Sequence, residues 1–96
     1  MRVRFTPSAR RELLEALDFI RKDSPAAADG MVVRSFEGLS RLRDFPESGR
    51  VVPEFPDSPY REVIVNPYRF FYRVTDDTVW IVALWHDRQL PESPEA

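Results

Sequence analysis

The chain has 96 residues, 43% hydrophobic and 31% charged, a composition that fits one small globular unit and excludes a disordered or two-domain chain. With no cysteine and one histidine it excludes a disulfide framework and a thiolate metal site, and it argues against a histidine-based one; no cofactor is expected. The formal charge of −2 hides an asymmetry, ten basic and eight acidic residues in 1–50 against four and eight in 51–96, and Lys22 is the single lysine, so broad phosphate-driven affinity for nucleic acid is not expected.

Val3-Arg4-Phe5 reads as a short strand. Thr6-Pro7 then marks a helix start, with Thr6 as cap and Pro7 at the first helical position, where no N–H is needed. Ala9, Leu13, Ala16, Leu17 and Ile20 recur at helical spacing and predict an amphipathic helix to about Lys22. Ser24-Pro25 repeats the cap signal and opens a second helix, with Ala28, Val32, Phe36, Leu39 and Leu42 expected on its buried stripe. Two caps this close imply a helical hairpin. Gly30 and Gly38 weaken the second helix by about 1 kcal/mol each relative to Ala, or else permit close packing.

Pro46 stops the second helix, and residues 46–59 hold four of the nine prolines, which predicts an extended loop or edge. Three antiparallel strands follow, turning at Asn66-Pro67 and Asp76-Asp77. Counting across those turns pairs Ile64 with Arg69, Glu62 with Phe71, Phe71 with Val82 and Arg69 with Leu84. Alternation then places Glu62, Ile64, Arg69, Phe71, Arg73, Trp80, Val82, Leu84 and His86 on one face. The other face, with Arg61, Val63, Val65, Tyr68, Phe70, Tyr72, Val79, Ile81, Ala83 and Trp85, is the more apolar and is expected to pack on the helices. The first face mixes cations with large apolar groups, and a partner is expected to cover it through Phe71, Arg73, Trp80, Val82 and Leu84. The fold class read here is α+β, in the order β-α-α-β-β-β, with a helical hairpin on one face of a small, mainly antiparallel sheet. One domain over residues 1–90 and a flexible acidic tail over 91–96 complete it.

No stretch approaches the ~20 apolar residues that a membrane span requires, and Met1-Arg2-Val3-Arg4-Phe5 has no apolar leader core, so a cytoplasmic location is expected. No phosphate loop, metal-ligand spacing or nucleophilic serine motif is present.

This order of elements, with Arg61-x7-Arg69-Phe70-Phe71-Tyr72-Arg73-Val74 and Leu84-Trp85-His86-Asp87-Arg88, resembles the ParE/RelE superfamily of type II toxin–antitoxin toxins. The likeness runs from Phe5 to about Arg88, and the His86-x-Arg88 ending looks more like the ParE, or plasmid-stabilisation, branch. It implies a growth-inhibiting toxin neutralised by a cognate antitoxin, either as a homodimer or within a toxin–antitoxin hetero-oligomer. ParE-like members poison DNA gyrase by protein contact, whereas RelE-like members cleave mRNA on the ribosome.

For the RNase branch, the resemblance implies Arg69 as a phosphate-holding cation, Arg88 as a second, and Glu54 or His86 as the proton-transfer group. The chain departs from that pattern: it has no lysine in residues 46–59 and no tyrosine after Tyr72. Attack by a 2′-hydroxyl needs a base, an acid and cations, and these groups supply cations more convincingly than a complete acid–base pair. The residues therefore favour a gyrase poison, with a ribosome-dependent mRNA endoribonuclease as the alternative and a non-toxic binding module on the same fold as the third. Two of the arginines also have plain structural roles open to them: Arg69 can pair with Glu62 across the hairpin, and Arg61 can take part in an end-of-strand ion pair or snorkel its stem along the core-facing side.

Overall fold

The computed structural model describes residues 1–89; the expected acidic tail lies outside the described residues. The order is β1 (Arg2–Phe5), α1 (Pro7–Asp23), α2 (Pro25–Ser40), a 3-10 turn (Arg41–Arg43), β2 (Arg50–Val51), β3 (Arg61–Val65), β4 (Tyr68–Thr75) and β5 (Thr78–His86). The five strands form one sheet in the order β1-β5-β4-β3-β2, antiparallel except where β1 runs parallel to β5.

Both helix starts form as the sequence predicts. Thr6 Oγ1 accepts from the Ala9 N–H at 3.2 Å and Ser24 Oγ from the Ala27 N–H at 3.1 Å, each followed by proline. Each cap satisfies one of the free amides of a first helical turn. The α1 stripe of Ala9, Leu13, Ala16, Leu17 and Ile20 packs as expected on Val65, Tyr68, Phe70, Tyr72, Val79 and Ile81.

The buried stripe of α2 is rotated by about one residue from the one expected. Ala28, Met31, Ser35, Gly38 and Leu39 are buried, while Val32 and Phe36 are 47% and 68% exposed. Small residues decide this: a Cβ at Gly38 would lie 3.3 Å from Val63 and 3.4 Å from Val65, so α2 seats its small face on β3. One step along a helix turns a side chain by about 100°, which carries Val32 and Phe36 off that contact.

The β3–β4 register is the one counted from the sequence, with Glu62 opposite Phe71 and Ile64 opposite Arg69, across a cis Asn66–Pro67 turn. At the next turn, Asp76 takes a φ of 52°, a left-handed conformation that aspartate tolerates better than most residues. The β4–β5 register is correct only near that turn. Arg73 faces Trp80 and Tyr72 faces Ile81, but Phe71 faces Ala83 and Arg69 faces Trp85. Val82 is the extra residue of a β-bulge, and beyond it every β5 side chain changes face. Leu84 and His86 therefore lie on the helix side, Leu84 in the main core and His86 edge-on to the Tyr68 ring. Ala83 and Trp85 move to the opposite side. Beyond β1 the Leu84 N–H has no strand beside it, and the Glu12 carboxylate of α1 accepts it at 3.2 Å.

The outer sheet face also differs from the expectation, because the chain itself covers half of it. The proline-rich segment folds back over that half, burying Val52 and Tyr60 against Phe71, Val82 and Ala83 with Phe55 alongside. It is held by its own turns, Phe55 N–H to the Val52 carbonyl at 3.0 Å and Ser58 N–H to the Phe55 carbonyl at 3.1 Å. Its base is pinned by the Tyr72 hydroxyl, which accepts from the Gly49 N–H at 2.9 Å and donates to the Pro46 carbonyl at 2.8 Å. A Cβ at Gly49 would stand 2.5 Å from the Tyr72 ring and 2.8 Å from the Glu62 carbonyl, so the approach requires glycine.

Candidate functional site

The covered half of the outer face encloses an ion cluster built from three strands and the proline-rich loop. Glu62 on β3 is fully buried, an expensive place for a carboxylate without cations at hand. Its Oε1 accepts from Arg69 Nε at 2.7 Å, and its Oε2 takes Arg50 Nε at 2.7 Å together with Arg50 Nη2. Arg69 turns the rest of its fork outward: Nη1 donates to Glu54 Oε2 at 3.0 Å and Nη2 to Glu54 Oε1 at 2.7 Å. Its guanidinium carbon stands 5.2 Å from the Phe71 ring centre. The register places these groups together, since Glu62 and Arg69 lie diagonally across the β3–β4 hairpin, and the loop delivers Glu54.

Electrostatics follow the geometry. The Arg69 bond holds the Glu54 carboxyl below the usual carboxylate range, and the two carboxylates push the Arg69 guanidinium still further from losing its proton. All three nitrogens of the Arg69 fork are engaged by carboxylates. As it stands, Arg69 is a structural cation that ties the loop to the sheet. The plain pairing of Arg69 with Glu62 is therefore present in the structure, with Glu54 added to it.

His86 does not join this cluster. The bulge puts it on the opposite face of the sheet, and its Nδ1 accepts the Arg88 N–H at 3.1 Å, which requires that nitrogen to be unprotonated. Asp87 Oδ1 stands 3.0 Å from the same nitrogen. Arg88 is exposed in the turn after β5. Arg61 donates to the Gly49 carbonyl at 2.9 Å and fixes the loop, and among the described residues it forms no ion pair. Among the described residues no cluster of His, Cys, Asp and Glu is suited to a metal ion.

Of the five expected partner-contact residues, Phe71 and Val82 are buried beneath the chain's own loop and Leu84 belongs to the helix-side core. Arg73 and Trp80 are part-exposed on the uncovered half of the outer face. Two residues that hold the site were missed. No sequence pattern marks Arg50, which sits on a two-residue edge strand paired with Glu62 and Arg61. Tyr60 closes the loop, and only its aromatic character among prolines could have marked it.

A second surface lies on the helical side. Val3, Phe5, Leu13, Leu17, Val32 and Phe36 line an apolar groove of about 330 Å³ between α1, α2 and β1. Ser35 contributes a buried hydroxyl that has no hydrogen-bond partner among the described residues. An open apolar groove of this kind on a small protein is a typical protein-docking feature.

Comparison with known proteins agrees with this architecture. Residues 3–91 match the family described as ParE toxin of type II toxin-antitoxin system, parDE. The chain is 34% identical over 87 residues to Toxin RelE2 of Caulobacter vibrioides, covering 90% of this chain and 94% of the relative. It is 33% identical over 92 residues to the putative toxin Y4kP of Sinorhizobium fredii, covering 95% and 94%. Among solved structures it resembles a chain of the chromosomal ParDE system from P. aeruginosa, with a TM-score of 0.72 at 19% identity, covering 90% of this chain and 95% of that one. It also resembles a chain of the toxin-antitoxin complex RelBE2 from Mycobacterium tuberculosis, with a TM-score of 0.56 at 26% identity and 88% coverage of both. Among the described residues no helix is long and apolar enough to cross a membrane.

Proposed function

The chain belongs to the ParE toxin family of type II toxin–antitoxin systems, and from that premise we propose that it acts by protein contact, as a poison of DNA gyrase, and not by cutting RNA. Membership gives the general role, a toxin held by a cognate antitoxin.

The observation that carries the contact reading is the occupied Arg69. An RNase of this fold needs cations free for the charge that builds on a phosphorane, and a base and acid within reach of the same phosphate. Here Arg69 is committed to Glu54 and Glu62, and His86 sits across the sheet. Glu54, held below the usual carboxylate range by its bond to Arg69, is a poor proton acceptor. Purified toxin is expected to block gyrase supercoiling and to accumulate cleaved DNA. Intact supercoiling at saturating toxin, together with arrested protein synthesis, would reverse the proposal.

The endoribonuclease remains the second reading because one relative carries the RelE2 name. It would require Glu54 to leave Arg69 when RNA enters. Normal growth on induction without antitoxin would point instead to a binding module without toxicity. For the antitoxin we propose the groove beside Phe36, where the apolar face of an amphipathic segment would bury the exposed Val32 and Phe36. Toxin and antitoxin would meet in the cytoplasm.

A further inference from the structure

The uncovered half of the outer sheet face carries a row that crosses three strands. Arg4 on β1 pairs in register with Trp80 on β5, and Trp80 with Arg73 on β4. Arg10, from the first turns of α1, reaches the same side, where it and Arg4 flank a groove that ends on Trp80. On the other side of Trp80, Arg73, Thr75, Val82 and Pro7 line a second groove of about 490 Å³. The Arg73 guanidinium carbon is 5.9 Å from the Tyr60 ring centre, and among the described residues its buried Nε finds no acceptor. Among the described residues, Arg4, Arg10 and Arg73 make no ion pair, in contrast to Arg69 and Arg50 next door. Among the described residues no acidic side chain lines either groove; Asp76 and Asp77 lie in the hairpin turn beyond Thr75, and Glu12, two residues after Arg10, accepts from the Leu84 N–H.

We propose that the Arg4–Trp80–Arg73 row is the surface through which this toxin grips its target protein, and that the target presents a carboxylate beside an apolar side chain. A guanidinium held against an aromatic ring and left without a carboxylate is costly to bury and gains most from an incoming acid. Tryptophan and arginine are also the residues on which interface energy concentrates. The walls beside Arg73 are largely apolar, which suits a side chain from a folded partner better than a phosphate backbone. Three placed arginines, on a chain of net charge −2, give little non-specific hold on nucleic acid. The assignment rests on the contact mechanism proposed above.

Three variants test it: R4E, which alters an exposed side chain; R73E; and W80A. Each is checked for unchanged melting and unchanged antitoxin capture, then scored for growth arrest on induction and for binding to purified gyrase. The expected result for R4E and R73E is at least a tenfold loss of gyrase affinity and loss of growth arrest, with the antitoxin still bound. Wild-type growth arrest by R4E and R73E would overturn the surface whatever the target. If wild-type toxin ignores gyrase yet R73E abolishes arrest, the gyrase reading fails and the surface stands as the grip on another protein. If a labelled single-stranded oligonucleotide binds the wild type, and R4E and R73E abolish that binding, the row is a nucleic-acid site and the proposal is wrong.

Discussion

Arg69→Ala is the perturbation that separates a structural arginine from a functional one. The substitution strands Glu62, whose side chain is fully buried, and frees the loop from the sheet. Removing one partner of a buried pair costs about 3–5 kcal/mol. Arg50 remains on Oε2, and Glu54, with 39% of its side chain exposed, rehydrates easily, which places the loss near the lower end, about 3 kcal/mol. In a domain of this length each kcal/mol moves Tm by about 4–8 °C, so a fall of about 12–24 °C is expected. Circular dichroism melts of toxin alone and with antitoxin measure it, the antitoxin complex recovering part of the loss by mass action. A variant that melts within about 2 °C of wild type yet loses all toxicity would refute the reasoning, because Arg69 would then be spent on function and not on the fold.

Gly49→Ala drives a methyl into the Tyr72 ring and the Glu62 carbonyl, and a destabilisation of about 1–3 kcal/mol is expected from urea melts. The pH dependence has two opposing carboxylates. Glu54, depressed by Arg69, contributes stability that is complete above its unfolded pKa of about 4.3 and is lost as pH falls through its lower folded value. Glu12, raised mainly by burial, contributes stability that is complete below that value and lost as pH rises through its higher folded one. Urea midpoints between about pH 3 and 7 should therefore change slope in opposite directions for Glu54→Gln and Glu12→Gln, whose amide oxygen still accepts from Leu84. Phe36→Asp, at a side chain 68% exposed, should leave the stability within about 0.5 kcal/mol of wild type and weaken antitoxin binding at least tenfold by calorimetry.

The local chemistry of the chain was plain in its residues. Thr6-Pro7 and Ser24-Pro25 specify their helix starts, Asn66-Pro67 specifies the turn that gives the β3–β4 register, and Asp76-Asp77 specifies the turn that starts the β4–β5 pairing. The bulge was not legible. Val79 to Trp85 is one unbroken run of apolar residues, so no polar alternation reports which face each side chain takes, and either register satisfies it. That one extra residue moved His86 away from Arg69 and Trp85 toward it.

The rotation of α2 was hidden for a different reason. Ser35 and Gly38 look unfit for a buried stripe, yet smallness is what seating a helix on β3 demands. The fold of the proline-rich loop rests on long-range groups, Tyr72 beneath Gly49 and Arg69 beneath Glu54, which no local pattern announces. The ion cluster was half visible: Glu62 and Arg69 fell on one face by counting, whereas Glu54 and Arg50 depended on the path of the segment between the second helix and β3.

If this toxin arrests growth by gripping a protein and not by cutting RNA, what is broken inside arrested cells tests it most directly. After induction without antitoxin, gyrase subunits covalently attached to chromosomal DNA should accumulate while mRNA 5′ ends stay unchanged. New mRNA ends at ribosome-occupied codons, with no gyrase–DNA adducts, would contradict it.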